Sequence, residues 1–592
     1  MKSKIYIILL LIAALGVSCS DDFLDLTPKD RIEDTPEFWN SETNVRNYAV
    51  GMYDIFFPGY NTGWSRSEFW SGLNVGEWVD DFAEESANFF TRNAPSSSSL
   101  WSFTTVRRVN LMIARLENSE LPEETKNHWL GVGRFFRAME YAKLVSNFGD
   151  VPWYDEVVDD SEKDLLYKPR DSRVFVMDKV LEDLNFANQN IRESDGEVAG
   201  LSVNRYVSLA FTSRIMLFEG TWQKYREEST ENAKKYLQVA RSTAQEVMSS
   251  DKYQLASSYK SLTNSLDLAG NPEIIIYRKY LLGVLGHSVM SYQIEQAQNK
   301  APNKSLVDSY LSSNGLPINQ PENTAFKGDK WFFDEIEDRD PRLHDNIDTV
   351  SLRLKGIEGL WAIGGYAGNR FVNESVRFSA EGLSSTNATD APVMKLNEVL
   401  LNYLEASAEL AELGAYTLSQ NDLDISINIL RKRESVNMPT VTLNGDYFAV
   451  NGINVDDPDR DVDVSPLLWE IRRERRIELV YEGFRFHDLR RWSKLEYSDM
   501  TLNPKINLGA WVDKPRFVQW YNSTVDSDSQ ITLETLETVL LDRDGDEGYI
   551  LPIRSSQNMR TYSEKDYLYP IPTGQIKLYE DRGKTLTQNP GW

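Results

Sequence analysis

The chain has 592 residues, with 90 acidic against 64 basic side chains and a formal net charge of −26. A body this acidic repels phosphate backbones and anionic membrane surfaces, which argues against nucleic acid as a partner and leaves covalent attachment as the route to a membrane. Cys19 is the single cysteine, so an internal disulfide is excluded, and four histidines stand too far apart for a zinc motif. We therefore expect no metal, no cofactor and no catalytic residue.

The first nineteen residues have the pattern of a bacterial lipoprotein leader. Lys2 and Lys4 precede an apolar run from Ile5 to Val17, which is too short to span a bilayer and typical of a signal peptide. The run ends in Leu-Gly-Val-Ser-Cys, where a thiol could carry lipid. The sequence predicts residues 1–18 as a signal peptide and Cys19 as the lipidated residue. The alternative is an ordinary signal peptide followed by an incidental cysteine.

Helical periodicity marks three stretches of the body, roughly 36–58, 101–250 and 393–492. Apolar residues between Lys126 and Phe148 recur at steps of three and four, and Gly149 predicts the end of that helix. Two apolar stripes between Val393 and Leu413 predict contact on two sides, as in a stacked helical array. Other predicted helices are Val174–Asn190, Val203–Trp222, Thr230–Met248, Asp424–Glu434 and Pro466–Tyr481. Together they favour a mainly α fold resembling a solenoid.

Three other stretches, roughly 59–100, 256–390 and 497–592, are rich in loops, and long loops usually carry function. Flat aromatic rings match the apolar C–H faces of sugars, and such rings are concentrated in the first two of these stretches. The candidate ligand-binding residues are Tyr60, Asn61, Trp64, Arg66, Trp70, Trp78, Tyr292, Trp331, Trp361 and Tyr366. Each ring could instead be a core or loop-anchoring residue. Rings in or beside helices are predicted to be core, namely Trp101, Trp129, Trp222 and Trp492.

Two charged segments have both a functional and a structural interpretation. Arginines and glutamates alternate through Glu470–Glu482, where Arg475 and Glu478 are spaced to pair on a helix. With His487-Asp488 nearby, this run could be an acid–base site, but no nucleophile motif accompanies it, which favours a structural ion-pair network. Acidic residues alternate through Asp542–Asp546 as calcium ligands do, but Ile553 stands where a calcium loop needs glutamate. That favours a turn between strands.

Several segments, in the expected order, resemble the signatures of SusD-like proteins of the RagB/SusD family. They are Cys19–Pro28, Phe148–Pro152, Pro169–Ser172, Asn271–Ile274, Leu306–Tyr310, Arg339–Leu343, Asn397–Ala406, Ile471–Trp492, Tyr569–Pro572 and Gln588–Trp592. The resemblance spans nearly the whole chain. Ser20–Phe23 is also similar to the acidic export signal that sends Bacteroidetes lipoproteins to the outer face of the outer membrane.

The resemblance implies one SusD-like domain, residues 19–592, with about four TPR-like helix pairs as scaffold and a loop-rich ligand-binding region. It implies a non-catalytic glycan-binding lipoprotein, anchored in the outer membrane and exposed at the cell surface. Its partners would be an oligosaccharide or polysaccharide and a TonB-dependent SusC-like transporter that receives the captured nutrient. No binding residue is carried over, since no family motif matches at the site.

Two other function classes stay open. A lipid-anchored glycoside hydrolase would need a carboxylate pair, and 90 acidic residues supply carboxylates everywhere. A TPR-type protein-interaction scaffold would leave the tryptophan-rich loops unexplained. The identity of the glycan also stays open, as does a peptide cargo.

Overall fold

The computed structural model describes residues 34–65, 78–84, 93–195, 199–294, 297–298, 300–555 and 558–592. The signal peptide, Cys19, Arg66 and Trp70 lie outside these residues. The long helices are α1 (Thr104–Glu117), α2 (Glu123–Phe148), α3 (Arg173–Asn190), α4 (Arg205–Tyr225), α5 (Thr230–Met248), α6 (Leu396–Glu412), α7 (Pro466–Glu478), α8 (Phe484–Arg491) and α9 (Lys514–Thr524). The fold is therefore mainly helical, as predicted.

Shorter elements fill the intervals. Further helices are Pro36–Trp39, Glu42–Val50, Tyr53–Phe56, Lys163–Leu166, Ser261–Asn264, Ser291–Ile294, Lys304–Ser309, Phe332–Ile336, Arg342–Asn346, Gln420–Asp424, Ile427–Arg431 and Thr573–Glu580. The 3₁₀ turns are Leu495–Ser498, Pro504–Asn507, Ser527–Ser529, Glu534–Leu536 and Glu564–Tyr567. Antiparallel strand pairs are Phe82–Glu84 with Lys300–Pro302, Ile274–Arg278 with Ala391–Lys395, and Trp511–Asp513 with Glu547–Tyr549. Thr442–Asn444, Tyr447–Val450 and Ile453–Asn454 form a three-stranded meander, and Ala297–Gln298 runs parallel to Trp361–Ala362.

Local sequence sets the ends of several long helices. Ser172 precedes α3, and its hydroxyl accepts the backbone N–H of Phe175 at 3.3 Å. Ser465 caps α7 in the same way, with proline as the first helical residue. Gly149 ends α2 at φ 72°, a conformation that favours glycine, and its N–H bonds the carbonyl of Val145. The predicted glycine stop is confirmed.

The helices pack in series, α1 on α2, α2 on α3, α3 on α4, α4 on α5, α5 on α6 and α6 on α7. Two glycines in α2 allow close approach, because a Cβ at Gly131 would lie 2.8 Å from Ile191, and one at Gly133 would lie 3.0 Å from Ile113. Every residue of α6 from Leu396 to Leu410 is buried, which confirms contact on more than one side. The division into four TPR-like pairs stays a prediction.

Three predicted boundaries differ from the structure. The predicted helix Asp424–Glu434 is the shorter helix Ile427–Arg431, and a separate helix, Gln420–Asp424, precedes it. The two are separated at Ser426, whose backbone leaves the helical region and whose hydroxyl bonds the Asp422 carbonyl. The segment before Leu396 is a strand rather than the first turn of α6. Helix α9 lies in a stretch predicted to be loop-rich. Asp513 starts it by accepting the N–H of Arg516 at 3.0 Å.

Two hydrophobic cores are the largest of those formed by the described residues. The larger one lies between the scaffold helices, and the second lies beneath the loop-rich stretches 280–372 and 510–550. Helix α7 contributes to the second core through Ile477, so the scaffold supports the loops directly. Trp101, Trp129, Trp222 and Trp492 are all buried, as predicted. No helix within the described part of the chain is both long and apolar enough to cross a membrane.

Candidate ligand-binding site

Residues 58–65 form a turn in the loop-rich part of the molecule, and this turn carries Trp64. The N–H of Gly63 donates to the carbonyl of Gly286 at 2.8 Å, and the hydroxyl of Tyr280 donates to the carbonyl of Asn61 at 2.7 Å. Gly63 and Asn61 both have positive φ, at 59° and 64°. These bonds tie the turn to a segment more than 200 residues away in sequence. Asn61 therefore shapes the turn through its backbone.

Trp64 and Tyr292, which we call the rim pair, meet at the edge of this turn. Their ring centroids lie 5.8 Å apart with an interplanar angle of 77°. The Tyr292 hydroxyl lies 3.5 Å from the Trp64 carbonyl oxygen. Trp64 is 52% exposed although it is a large apolar residue, and Tyr292 is half-buried. Such edge-to-face pairing fixes ring orientation while leaving ring surface open to solvent.

Two of the candidate residues, Tyr60 and Tyr366, are buried in the core, which matches the alternative interpretation of these rings as core or loop-anchoring residues. Tyr60 is 0% exposed, its hydroxyl donates to the Thr263 carbonyl at 2.7 Å, and burial raises its pKa well above the usual value. Tyr366 is also 0% exposed and donates to the carboxylate of Glu335 at 2.7 Å. A ring enclosed on both faces has no surface on which a sugar can stack. Tyr60 instead anchors the turn that carries Trp64.

Trp78 and Trp361 are half-buried and lie in different surroundings from the rim pair. The ring of Trp78 packs edge-on against Phe486 at 5.5 Å, on helix α8 of the scaffold. Trp361 begins a short strand, and the ammonium of Lys355 lies 4.8 Å from its ring centroid. The structure thus distributes the predicted aromatic residues over separate parts of the molecule.

Trp331 belongs to a second aromatic group that sequence reasoning missed. Its ring lies 6.3 Å from Trp520, and Phe333 lies 4.9 Å from the same indole. The guanidinium carbon of Arg516 lies 4.0 Å from the Trp331 centroid. Arg516 and Trp520 are four residues apart on α9, so they share a helix face. The signal available in sequence was Asp513 with a following proline, a helix start before apolar residues at helical spacing.

The arginine-rich run in α7 forms a buried ion-pair network, which supports the structural interpretation. Arg342 donates to Glu474 at 2.6 Å and to Glu478 at 2.9 Å, so the loop-rich part is bonded to the scaffold. The expected pairing of Arg475 with Glu478 is wrong. Arg475 instead bonds Asp488 at 2.9 Å, because the fold supplies a closer carboxylate from α8. All of these side chains are buried.

A cavity of about 210 Å³ lies between α2, α4 and α8 and includes His487 and Asp488 among its walls. Its apolar walls include Met139, Phe211 and Phe218. Burial and the neighbouring Arg490 lower the pKa of His487 to about 4, so this imidazole is neutral near pH 7. Asp488 accepts hydrogen bonds from two arginines. These contacts hold Asp488 in ion pairs and leave His487 uncharged, which does not favour an acid–base pair.

Asp542 lies in a turn before the strand Glu547–Tyr549, as the sequence favoured. Its Oδ1 accepts the backbone N–H of Tyr549 at 2.9 Å, and its two oxygens also bind the guanidinium of Arg543. Within the described ranges, no group of three or more His, Cys, Asp or Glu side chains is placed to hold a metal ion.

Comparisons with known proteins agree with this architecture. Residues 355–592 match the SusD family model. A SusD-like protein of Formosa agariphila is 23% identical over 530 residues, covering 83% of this chain and 92% of the relative. The crystal structure of a SusD-like carbohydrate-binding protein from Bacteroides fragilis has a TM-score of 0.63 at 21% identity, covering 91% of this chain and 99% of that one. The chain has the fold of SusD-like proteins.

A second solved structure extends the same conclusion about the fold. A laminarin-binding SusD-like protein has a TM-score of 0.55 at 17% identity, over 93% of this chain and 100% of its own. At such low identity these likenesses establish the SusD-like fold alone.

Proposed function

We propose that this chain is a non-catalytic lipoprotein of the outer membrane that captures glycan at the cell surface and delivers it to a SusC-like TonB-dependent transporter. The exposed rim pair, Trp64 with Tyr292, is the observation that carries the proposal. Two solved relatives with the same fold are described as carbohydrate-binding and laminarin-binding, which supports glycan as the ligand class. The lipid anchor at Cys19 rests on the sequence, and the transporter on the family resemblance.

The chemistry of the rim suits a neutral or weakly charged sugar. A pyranose ring has apolar C–H faces that stack on an indole, and its hydroxyl groups bond to nearby polar atoms. The turn that carries Trp64 is fixed by hydrogen bonds and by the buried ring of Tyr60, so little entropy is lost when a ligand orders the rim. Trp78, Trp331 and Trp361 remain proposed contacts, each in its own part of the molecule.

The decisive experiment compares Trp64→Ala with the parent by calorimetry and by retardation in gels containing candidate polysaccharides. Stacking of one ring is worth about 1–3 kcal/mol by analogy with nucleobase stacking, so we expect binding to weaken roughly 5- to 150-fold. Phe175→Ala is the matched control, because Phe175 is also an exposed aromatic residue but lies on helix α3 of the scaffold. Unchanged binding in Trp64→Ala and Tyr292→Ala would refute the rim as the site.

The same samples test the hydrolase alternative. We expect no new reducing ends when the protein is incubated with any polysaccharide that it retards. Turnover that disappears on changing one carboxylate would instead establish an enzyme. A scaffold that binds only protein would show no retardation on any glycan.

A further inference from the structure

A half-buried aromatic group between the helix Phe332–Ile336 and helix α9 has the features of a second binding site. We call Trp331, Phe333, Arg516 and Trp520 the aromatic ledge. Trp331 precedes the helix Phe332–Ile336, and Phe332 is buried in the second core, which fixes the backbone beneath the ledge. Phe517 of α9 is buried in the same core. Two anchored helices therefore hold the ledge rings in place.

Three rings of the ledge are each partly open to solvent. Trp331, Phe333 and Trp520 are half-buried, and Trp520 meets Phe333 at 4.9 Å and Trp331 at 6.3 Å. The Trp331 and Trp520 planes are 81° apart, so they form a corner rather than a stack. The two indole planes therefore face different directions, and the guanidinium of Arg516 lies over one face of Trp331.

Arg516 gives the ledge its charge. Its side chain is exposed, its guanidinium carbon lies 4.0 Å from the Trp331 centroid, and no described carboxylate lies within ion-pair distance. Stacking on an indole leaves the guanidinium N–H groups free to bind an anion in the ring plane.

Arg543 shows the alternative arrangement. Its guanidinium carbon lies 4.9 Å from the ring of Trp511, but its N–H groups donate to both oxygens of Asp542, at 3.0 and 2.8 Å. The two arginines share an exposed position against an indole and differ in whether a carboxylate neutralises them. Arg543 is therefore a matched control for Arg516.

We propose that the aromatic ledge binds an acidic sugar residue, with the ring faces stacking on the sugar and Arg516 bonding its carboxylate or sulfate group. Planar guanidinium donors match both anions with two parallel hydrogen bonds. The site goes beyond the rim pair and rests on the proposed function only in taking a glycan as ligand. It would make the protein select charged over neutral glycans at a place remote in sequence from Trp64.

The test measures binding of hexagalacturonate and its fully methyl-esterified form by calorimetry, with a sulfated carrageenan hexasaccharide and its desulfated form as the second arm. We expect the acidic form of at least one pair to bind more tightly, and the arm that does so identifies carboxylate or sulfate. Arg516→Gln should weaken that binding roughly tenfold or more, as for loss of a charge-assisted hydrogen bond, while Arg543→Gln leaves it unchanged. Circular dichroism verifies that both variants fold.

Three results would overturn the proposal that the aromatic ledge binds an acidic sugar. One is equal binding of acidic and neutral forms, and another is acidic binding that Arg516→Gln does not change. The third is no binding of any acidic hexasaccharide. Trp64→Ala separates the two sites, because loss of neutral-glycan binding in that variant supports the rim whatever happens at the ledge. A parent protein that binds no glycan at all would refute both proposals.

Discussion

Arg342 joins the loop-rich part of the molecule to helix α7, and replacing it by methionine should destabilise the protein strongly. The side chain is 0% exposed and bonds Asp340 at 2.7 Å, Glu474 at 2.6 Å and Glu478 at 2.9 Å. Burial alone would lower the pKa of this arginine, but the three carboxylates outweigh burial and raise it. The cation is therefore held in place by its partners.

The expected cost follows from what the substitution leaves behind. Removing one partner of a buried ion pair costs about 3–5 kcal/mol, because the other charge stays buried without compensation. Glu474 keeps a hydrogen bond from Arg431, and Glu478 keeps one from Arg433, so part of their charge remains neutralised. We therefore expect Arg342→Met to lower the free energy of unfolding by about 3 kcal/mol, at the lower end of that range.

Urea unfolding followed by tryptophan fluorescence measures the change. Arg377→Met is the control, because Arg377 pairs with the exposed Glu374 at 3.1 Å, and surface pairs contribute about 0–1 kcal/mol. The loss in Arg342→Met should persist at high salt, since buried pairs are weakly screened. Adding Asp340→Asn to Arg342→Met should restore part of the lost free energy of unfolding. An unfolding midpoint equal to that of the Arg377 control would refute the reasoning.

Three further predictions concern pH, a helix end and the anchor. The ring of His287 is buried and its Nε2 lies 2.8 Å from the Thr389 carbonyl, and burial lowers its pKa to about 3. An unfolded histidine titrates near 6.5, so the stability contributed by this neutral ring is complete above that pH and is lost as pH falls towards 3. Lowering the pH from about 8 to about 5.5 should therefore reduce the free energy of unfolding by about 1.4 kcal/mol through this group. A His287→Gln variant whose free energy of unfolding falls with pH as steeply as that of the parent would contradict this. Gly149→Ala should lower the free energy of unfolding by about 1–3 kcal/mol, because residue 149 has φ 72° and a Cβ would lie 3.1 Å from Leu568. A thermal unfolding temperature equal to that of the parent would argue against strain at this position. Cys19→Ala should release the protein from membranes, and a variant that still sediments with membranes and incorporates labelled palmitate would disprove lipidation at this residue.

The sequence alone determined six of the long helices and several of their ends. Apolar residues at steps of three and four predicted α2 to α7, because a helix buries one face whatever it packs against. Gly149 predicted a helix end, because its backbone conformation is a local property. The ordered family segments added the SusD-like fold, which no single pattern of residues could have established.

Only the tertiary structure decided which residues meet. In sequence, Tyr60, Trp64 and Tyr366 are equivalent aromatic residues in loops, yet two are enclosed by the core and one is exposed. Trp64 lies 228 residues from Tyr292, and Arg516 likewise lies far along the chain from its partner indole, Trp331. Burial and ion pairing depend on segments that folding brings together, so neither can be predicted from the local spacing of residues. For this reason the sequence predicted Glu478, a neighbour on the same helix, as the partner of Arg475, whereas in the structure Arg475 bonds Asp488.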